Sequence, residues 1–390
     1  MLSTPHVIAA LRSKAGAFAA YQAQAGRQAD DYRRALDVLV ARSQAEVLRA
    51  LEAIPKPGAR PTAERVAGQP IVRPFIERWE NHAEARAWAL ERLRGVPILA
   101  VDGSQITPST DYSVPVGAVQ VGWFLNCHDG GVPYEKDIRF EVIVPEDLDA
   151  GDAISDLEVN VRRFELECEA ITALMRRASA YDTTPVCIFD GSLAISFAAH
   201  LGPDVQKRYV SAVREMLATS EETQVPVVGY VDGSHARDLA WMLHWLSPQT
   251  APPTVGDAAL LRPRMRWGDR SEAVQCARDD RLFDRLDPDW DYYDRVHVVY
   301  LKTTQGNPPV RLDLPAWLLE EGELERVVDL VRAECVAGTG YPYCMETADA
   351  VAVITMADRE RFYRMFQEFL EGLGIPLRYA RKAYSKRQRR

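Results

Sequence analysis

A chain of 390 residues that is 47% hydrophobic can bury a large core, and its length allows two or three domains. Its net charge of -9 argues against a protein that coats nucleic acid through a broad basic surface, so any DNA contact must be local. The sequence has no CxxC pair, no Cys/His grouping typical of a zinc site and no run of 18 apolar residues. We therefore expect a cytoplasmic protein that is not exported.

The first part of the chain has the periodicity of helices. Apolar residues recur at spacings of three and four over 5–53 and 74–94, with the Pro-rich segment IPKPGARP between the two stretches. We predict an N-terminal helical arm over residues 1–95 that contacts a second copy or another partner. A helical layer that covers the core fits the same pattern.

From residue 96 the periodicity becomes that of strands. Three β-rich segments in succession predict an antiparallel meander, and the alternation of helices and strands after them predicts parallel strands joined by crossover helices. The strands are expected at 96–101, 116–125, 137–144, 185–189 and 225–231, and the helices at about 152–180, 203–219 and 235–246. This order predicts an α/β fold with a ribonuclease H-like mixed sheet flanked by helices.

The rest of the chain predicts two more strands and three helices before a basic tail. The strands are expected at 295–303 and 309–314, and the helices at about 319–336, 344–354 and 358–372, after a loop-rich stretch over 247–293. We predict one domain over 96–377 and a separate tail over 378–390. The tail holds seven Lys or Arg, two Tyr and no acid, which suits contact with a nucleic-acid strand through Lys382 and Lys386, or a solvated end.

The tripeptide Asp-Gly-Ser occurs three times, beginning at Asp102, Asp190 and Asp232. At average residue usage any one tripeptide of this kind is expected in roughly one of ten such chains, so coincidence is a poor explanation. A lone copy is usually a turn. Here each copy directly follows an apolar strand pattern, which predicts that each Asp lies where a buried strand leaves the sheet, the edge at which open α/β sheets bind ligands.

Aspartates at neighbouring strand ends suit hard divalent cations, and the following Gly lets a cation or phosphate approach closely. Two such ions roughly 4 Å apart can activate water and stabilise the leaving oxygen during phosphodiester hydrolysis. We predict that Asp102 and Asp190 anchor a metal site. Asp232 is a weaker candidate, because a helix pattern follows it and Asp often caps helices.

A third carboxylate is expected from the helix that precedes the second of these strands. Glu165, Glu167 and Glu169 all lie on it, and helical geometry alone does not decide which one faces inward. A solvated helix face is the alternative for each. Four further residues at strand ends or turns could position phosphates, with a surface ion pair as the alternative for the cations: Arg270, Ser271, Lys302 and Arg311.

Seven motifs, in order from about residue 96 to the carboxyl end, resemble those of the NurA nucleases. They are AVDGSQ (100–105), RRFELECE (162–169), IFDGSL (188–193), VVGYVDGS (227–234), WGDRS (267–271), RLDLPAW (311–317) and GYPYCMETADA (340–350). The resemblance implies a ribonuclease H-like fold and a manganese-dependent nuclease that acts on single-stranded DNA and DNA ends with 5′ to 3′ polarity. It also implies a homodimer that works with a hexameric HerA-type DNA-translocating ATPase in the resection and repair of double-strand breaks.

On this resemblance the two metal-binding aspartates of the family correspond to Asp102 and Asp190, and its helix glutamate to Glu167, with Glu165 and Glu169 as near alternatives. Many members have a His where this chain has Asp349. An Asp still suits a hard cation, but it does not replace a His in proton transfer.

We therefore predict that Asp102, Glu167, Asp190 and Asp349 hold two Mn or Mg ions and that water, as hydroxide, attacks the phosphodiester. His297 lies in a strand pattern, is expected in the core and does not substitute for the missing His.

Two other functions share parts of the same pattern. The nearer one is a non-catalytic DNA-binding or adaptor subunit of a HerA-type translocase complex, in which the change from His to Asp has abolished turnover. A small-molecule phosphotransferase or phosphatase lacks support, because the chain has no P-loop and its Asp-Gly-Ser motifs lack a second Asp two residues on. We expect the dimer interface at the helical arm or at the strands near 295–314.

Overall fold

The computed structural model describes residues 2–109, 111–147, 156–247, 251–280, 282 and 292–377. They divide into two compact units, drawn from the following ranges. The first unit draws on Met1–Arg78, Val231–Arg281 and Asp289–Ala316, and the second on Trp79–Tyr230, Leu282–Pro288 and Trp317–Arg390. The domain limits predicted from the sequence stay a prediction, and the basic tail with Lys382 and Lys386 lies outside the described residues. Among those residues, no helix combines the length and apolar character needed to cross a membrane.

The helices and strands have the following bounds. The α-helices are α1 (Thr4–Ser13), α2 (Ala15–Val40), α3 (Gln44–Ala50), α4 (His82–Leu93), α5 (Asp156–Arg176), α6 (Pro203–Thr223), α7 (Asp238–Leu246), α8 (Asp257–Leu261), α9 (Trp317–Glu320), α10 (Leu324–Ala337), α11 (Tyr343–Ala352) and α12 (Met356–Gly372). The β-strands are β1 (Gly58–Pro61), β2 (Val72–Arg73), β3 (Ile98–Ile106), β4 (Gly117–Asn126), β5 (Glu135–Ile143), β6 (Val186–Asp190), β7 (Val227–Val231), β8 (Arg270–Ser271), β9 (Val274–Ala277), β10 (Val296–Leu301) and β11 (Val310–Pro315).

The second unit is built on a mixed sheet with the strand order β5-β4-β3-β6-β7. β3, β4 and β5 form an antiparallel meander, whereas β6 pairs parallel to β3 and β7 pairs parallel to β6. α5 and α6 make the crossovers that lead into β6 and β7. This topology confirms the predicted α/β fold with a ribonuclease H-like mixed sheet.

Helices cover both faces of this sheet, which explains why Ile98–Val101 at the start of β3 are all buried. Side chains alternate between the faces. A Cβ atom added to Gly103 would lie 2.3 Å from Glu167 of α5, and one added to Gly122 of β4 would lie 2.8 Å from the backbone of α11. Because Gly122 is the register partner of Asp102, α5 and α11 lie on opposite faces.

The first unit contributes antiparallel strands, in which β9 lies between β1 and β10, and β11 pairs with β10. Every residue of β10 and β11 is buried, including His297, as expected for a core histidine. α1 has no buried residue, and burial in α2 begins only at Ala29. The amino-terminal half of this helical segment is therefore exposed over much of its length.

One predicted helix starts later than the sequence indicated. The expected helix over 74–94 begins only at His82, because Asn81 caps it by accepting the backbone N–H groups of Ala83 and Glu84. The stretch over 247–293 is loop-rich as expected, and its described residues also include the short elements α8, β8 and β9. These elements are too short to give a clear periodic pattern.

Candidate active site

Asp102 and Asp190 occupy equivalent positions on neighbouring parallel strands. The pairing of β3 with β6 runs up to Val101 opposite Phe189, so the next residue on each strand is an aspartate. The sequence predicted that both aspartates end their strands. This is correct for Asp190, where β6 stops, but wrong for Asp102, because β3 stays paired with β4 and continues to Ile106. The two carboxylates therefore lie where the parallel part of the sheet ends.

Asp349 reaches Asp102 from α11. The carboxyl group of Asp349 lies close enough to that of Asp102 to raise the pKa of Asp102. Gly122, beside Asp102 on β4, makes this approach possible, because any Cβ there would collide with Val351 and Ala352 of α11. The absence of a side chain at one strand position thus brings a helix carboxylate to the site.

Glu167 reaches the same region from α5, on the opposite face. Its side chain is almost fully buried, and it accepts a 2.9 Å hydrogen bond from Nη1 of Arg163, one helical turn earlier. The same Nη1 donates to the carbonyl of Gly103 at 3.2 Å. Gly103 does not adopt a left-handed conformation here; it is needed for space, since a Cβ atom would overlap the Glu167 carboxylate.

The neighbouring glutamates of α5 point elsewhere. Glu165 accepts hydrogen bonds from Arg208 at 2.6 and 2.8 Å, and Glu169 accepts hydrogen bonds from Arg139 and Arg162. Of the three glutamates that the sequence left open, Glu167 alone is buried beside the aspartates.

The electrostatics of the cluster are unfavourable in the absence of further positive charge. Burial raises the pKa of Asp102 to about 6, against the opposing hydrogen bond from the Gly103 N–H and with the help of the charges on Asp190 and Asp349. Burial also raises the pKa of Glu167 to about 7, and Asp102 and Asp190 add to the effect, whereas Arg163 opposes it. Arg163 therefore offsets only part of the negative charge.

The donor chemistry of the cluster fits a hard divalent cation. Four carboxyl groups from two strands and two helices offer the oxygen ligands that Mg and Mn prefer. Within the described ranges, however, no three side chains are already arranged as a metal-binding cluster. Glu167 is paired with Arg163, so binding of an ion by Glu167 would require this carboxylate to exchange its present partner for the ion.

Tyr341 is a second polar neighbour of the cluster, after Arg163. Neither residue was predicted from the sequence as part of the site. Its hydroxyl group donates to Oδ2 of Asp190 at 3.5 Å, and its ring packs edge to face against buried Tyr230 at 5.3 Å. The preceding turn depends on Gly340, which has a φ of 112°. Tyr341 lies in the GYPYC motif, which was the one available signal.

The family of this chain is established by the match of its sequence to a family model. The NurA domain model matches residues 96–354, about two thirds of the chain. The chain belongs to the NurA family of nucleases. The match includes Asp102, Glu167, Asp190 and Asp349 and ends before α12.

Solved structures give weaker similarities. A crystal structure of NurA with manganese shares 11% identity, covers 72% of this chain and 90% of its own, and superposes with a TM-score of 0.43. The catalytic domain of human endonuclease V shares 14% identity over 76% and 95% of the two chains, with a TM-score of 0.33. Ciona intestinalis endonuclease V, solved with a 24mer DNA, shares 9% identity over 73% and 96%, with a TM-score of 0.30. No curated protein matches the chain.

Four residues were predicted from the sequence to position phosphates: Arg270, Ser271, Lys302 and Arg311. All four lie in the first unit and have hydrogen-bond partners within the protein. Arg270 is buried and makes a bidentate ion pair with Glu64, at 2.7 and 2.9 Å. Ser271 is buried as well, donates to the carbonyl of Glu272 and accepts the N–H of Tyr300. Their role in binding phosphate stays a prediction.

Lys302 and Arg311 are also buried. Lys302 donates to the carbonyl of Asn307, and Arg311 pairs with Asp238 and, at 2.6 Å, with Asp313. Their phosphate role likewise stays a prediction. Asp232, the weakest of the three Asp-Gly-Ser aspartates, lies exposed in the turn after β7.

Proposed function

We propose that this NurA nuclease is a manganese- or magnesium-dependent DNA nuclease that hydrolyses phosphodiester bonds with two metal ions. Its proposed ligands are Asp102, Glu167, Asp190 and Asp349. The observation that carries the proposal is the approach of these four carboxyl groups from β3, β6, α5 and α11, with raised pKa values at Asp102 and Glu167. Groups with strongly shifted pKa values cluster at functional sites, because like charges held together are costly in a purely structural role.

The protein side chains have separate tasks in this mechanism. A bound divalent cation would supply charge to the phosphodiester and lower the pKa of the attacking water. Asp102 is oriented by the N–H of Gly103 at 2.8 Å, and Asp190 by the hydroxyl group of Tyr341. Arg163, which is partly exposed, can turn its guanidinium from Glu167 to a phosphate oxygen once Glu167 has another positive partner.

Membership of the family supports the wider biological proposal. We infer that the substrates are single-stranded DNA and DNA ends, degraded in the 5′ to 3′ direction by exonuclease and endonuclease activity. The enzyme would act as a homodimer with a hexameric HerA-type ATPase in the resection of double-strand breaks. The basic segment over 378–390 would contact the strand, with Lys382 and Lys386 among its cations.

Cleavage of end-labelled single- and double-stranded DNA with Mn, Mg or EDTA tests the proposal. Wild-type protein should cut with Mn and stop with EDTA, and Asp102→Ala and Asp190→Ala should be inactive. Asp232→Ala is the matched control, since it alters the third Asp-Gly-Ser copy, and it should cut like the wild type. Cleavage that survives both of the first two substitutions would place the active site elsewhere.

The adaptor function is tested by the same assay and one further variant. Asp349→His restores the residue found in many relatives. If Asp349 is a working ligand, both the wild type and Asp349→His should cut DNA in Mn. A wild type that stays inactive even with its partner ATPase, combined with an active Asp349→His, would identify the natural chain as a non-catalytic subunit.

A further inference from the structure

One face of β5 carries apolar side chains that the described residues leave exposed. β5 is the last strand of its sheet, and β4 is its partner among the described strands. Ile138, Phe140 and Val142 alternate along it and therefore share a face, and together with Val144 they keep 44% to 47% of their surface exposed. An unpaired edge strand with an exposed apolar row is prone to pair with another chain.

α12 continues this apolar surface. Phe362 contacts Phe140 with ring centroids 6.1 Å apart and stacks in parallel on Phe366 at 6.3 Å. Phe369 and Leu373 follow at helical spacing and are mostly exposed. These residues of α12, with Leu373 directly after it, and the apolar row of β5 form what we call the β5–α12 surface. Exposed patches of this kind usually mark a site of protein association.

The chain's own carboxyl-terminal segment is a poor cover for this surface. Residues 378–390 contain seven Lys or Arg and few apolar side chains. Burying so many cations against Phe and Val would cost their hydration without giving them partners. The occupant must instead offer an apolar face of its own.

The sequence of β5 is complementary to itself. If two β5 strands pair antiparallel about Phe140, Arg139 lies opposite Glu141 of the other copy and Ile138 lies opposite Val142, twice each by symmetry. Apolar side chains then meet on one face and opposite charges on the other, which are the favourable cross-strand pairs. Centring the pair on Arg139 or Glu141 would set identical charges opposite each other.

We propose that a second copy of this chain docks on the β5–α12 surface, with the two β5 strands paired antiparallel about Phe140. The proposal rests on the homodimer of the proposed function and names its interface. A pairing with twofold symmetry uses the same surface on both copies, so assembly stops at two.

This interface differs from the two expected from the sequence. The strands near 295–314 are unsuitable, because every residue of β10 and β11 is already buried. The helical arm remains a rival, since Phe18 on α2 is 60% exposed. The two surfaces can be separated by single substitutions.

Sedimentation velocity of the full chain makes that separation. Wild-type protein should sediment as a dimer, and Phe140→Glu as a monomer, because it sets two carboxylates face to face on the twofold axis. Phe18→Glu is the matched control and should stay dimeric. Circular dichroism and the melting temperature of each variant check that it is folded.

Cysteine cross-linking tests the register and does not depend on dissociating the dimer. Cys127 is the partly exposed native thiol, whereas the other five are buried, so Cys127→Ser gives a suitable background. In that background Phe140→Cys should form a disulfide-linked dimer with diamide as oxidant. Ile138→Cys alone should not, but it should cross-link when mixed with Val142→Cys.

The outcomes separate this proposal from the proposed function. A dimeric wild type in which Phe140→Cys fails to cross-link and Phe140→Glu stays dimeric would overturn the interface and leave the homodimer intact. A monomeric wild type at micromolar concentration would overturn both. Neither result bears on the metal site, which is judged by cleavage in Asp102→Ala.

Discussion

Asp238 in the first unit and Asp102 in the second have opposite electrostatic surroundings. In the first unit, burial pushes the pKa of Asp238 upward, but Arg278 and Arg311 outweigh it and hold that pKa well below its usual range. In the second unit, burial raises the pKa of Asp102 to about 6, and neighbouring carboxylates reinforce the shift. Burial raises the pKa in both cases, so the difference lies in the charges around the two aspartates.

The surrounding charges distinguish a carboxylate cluster that stabilises the fold from one that can bind a cation. Asp238 pairs with both Arg278 and Arg311, and Arg311 also pairs with Asp313, so two carboxylates meet two guanidinium groups. This cluster is expected to hold α7 and β11 in place. Asp102 and Glu167 have no such balance. A cluster left with excess negative charge is suited to bind a cation supplied from solution.

The largest effect should follow from breaking the balanced cluster. Arg311→Ala leaves Asp238 and Asp313 buried with less positive charge, and loss of one partner from such a cluster costs about 3–5 kcal/mol in the free energy of unfolding. Urea denaturation measures it. Arg237→Ala, at an exposed residue just before α7, is the control and should stay within about 1 kcal/mol of the wild type. A similarly small loss in Arg311→Ala would refute the structural role.

Substitution in the unbalanced cluster should have opposite effects on activity and stability. Glu167→Gln removes a buried like charge, so the metal-free protein should melt at a higher temperature. The rate of cleavage should fall by about 100-fold or more. This exceeds the 10- to 100-fold loss that is typical when a residue that only orients a metal ligand is removed. Glu169→Gln, on the exposed side of α5, should change neither quantity. A Glu167→Gln protein that cuts DNA normally would exclude this residue from the site.

Much of this architecture is readable from the sequence. The meander, the crossover helices and the two aspartates follow from strand patterns that end in Asp-Gly-Ser. The choice among Glu165, Glu167 and Glu169 does not, because all three lie on one helix and their environments depend on Arg208, Arg139 and the missing side chain at Gly103, which only tertiary packing brings together.

The same limit applies to the charged residues elsewhere. In sequence, Arg270 and Arg311 resemble arginines that bind phosphate. They are buried in ion pairs with Glu64 and Asp238, which are distant along the chain. Tyr341 and Arg163 are single residues without a spacing pattern of their own. Pairs of this kind follow from the fold and not from local periodicity.

A smaller effect on activity is expected from Gly103→Ala. The added methyl group must displace the Glu167 carboxylate or the Arg163 side chain, and misplacement by about 1 Å can cost on the order of 100-fold in rate. We expect a loss of about 10- to 100-fold in Mn-dependent cleavage. Gly130→Ala is the control, because a Cβ atom there meets nothing within 4 Å. Equal activity in the two variants would show that Gly103 is not needed for space.

The smallest effect concerns pH and stability. The pKa values of Asp102 and Glu167 are raised from 3.8 and 4.5 to about 6 and about 7, so their contribution to stability is present at low pH and is lost as the pH rises through these values. The melting temperature of metal-free protein should therefore fall by a few degrees between about pH 5 and pH 8, and Mn should restore more of it at the higher pH.

Two other buried acids, Asp257 and Glu272, have pKa values raised to about 7 and add to the same trend. The contribution of Glu167 is therefore the difference between the wild type and Glu167→Gln, measured by differential scanning fluorimetry at each pH. Identical pH profiles for the two proteins would contradict the electrostatic account of the site.

The most direct test of the central claim is the anomalous scattering of crystals grown with Mn. A manganese peak is expected between the carboxyl groups of Asp102 and Asp190, with Glu167 turned away from Arg163 toward it, and no such peak in Asp102→Ala. Manganese bound only at other residues, or a peak unchanged in Asp102→Ala, would contradict the assignment of this cluster as the metal site.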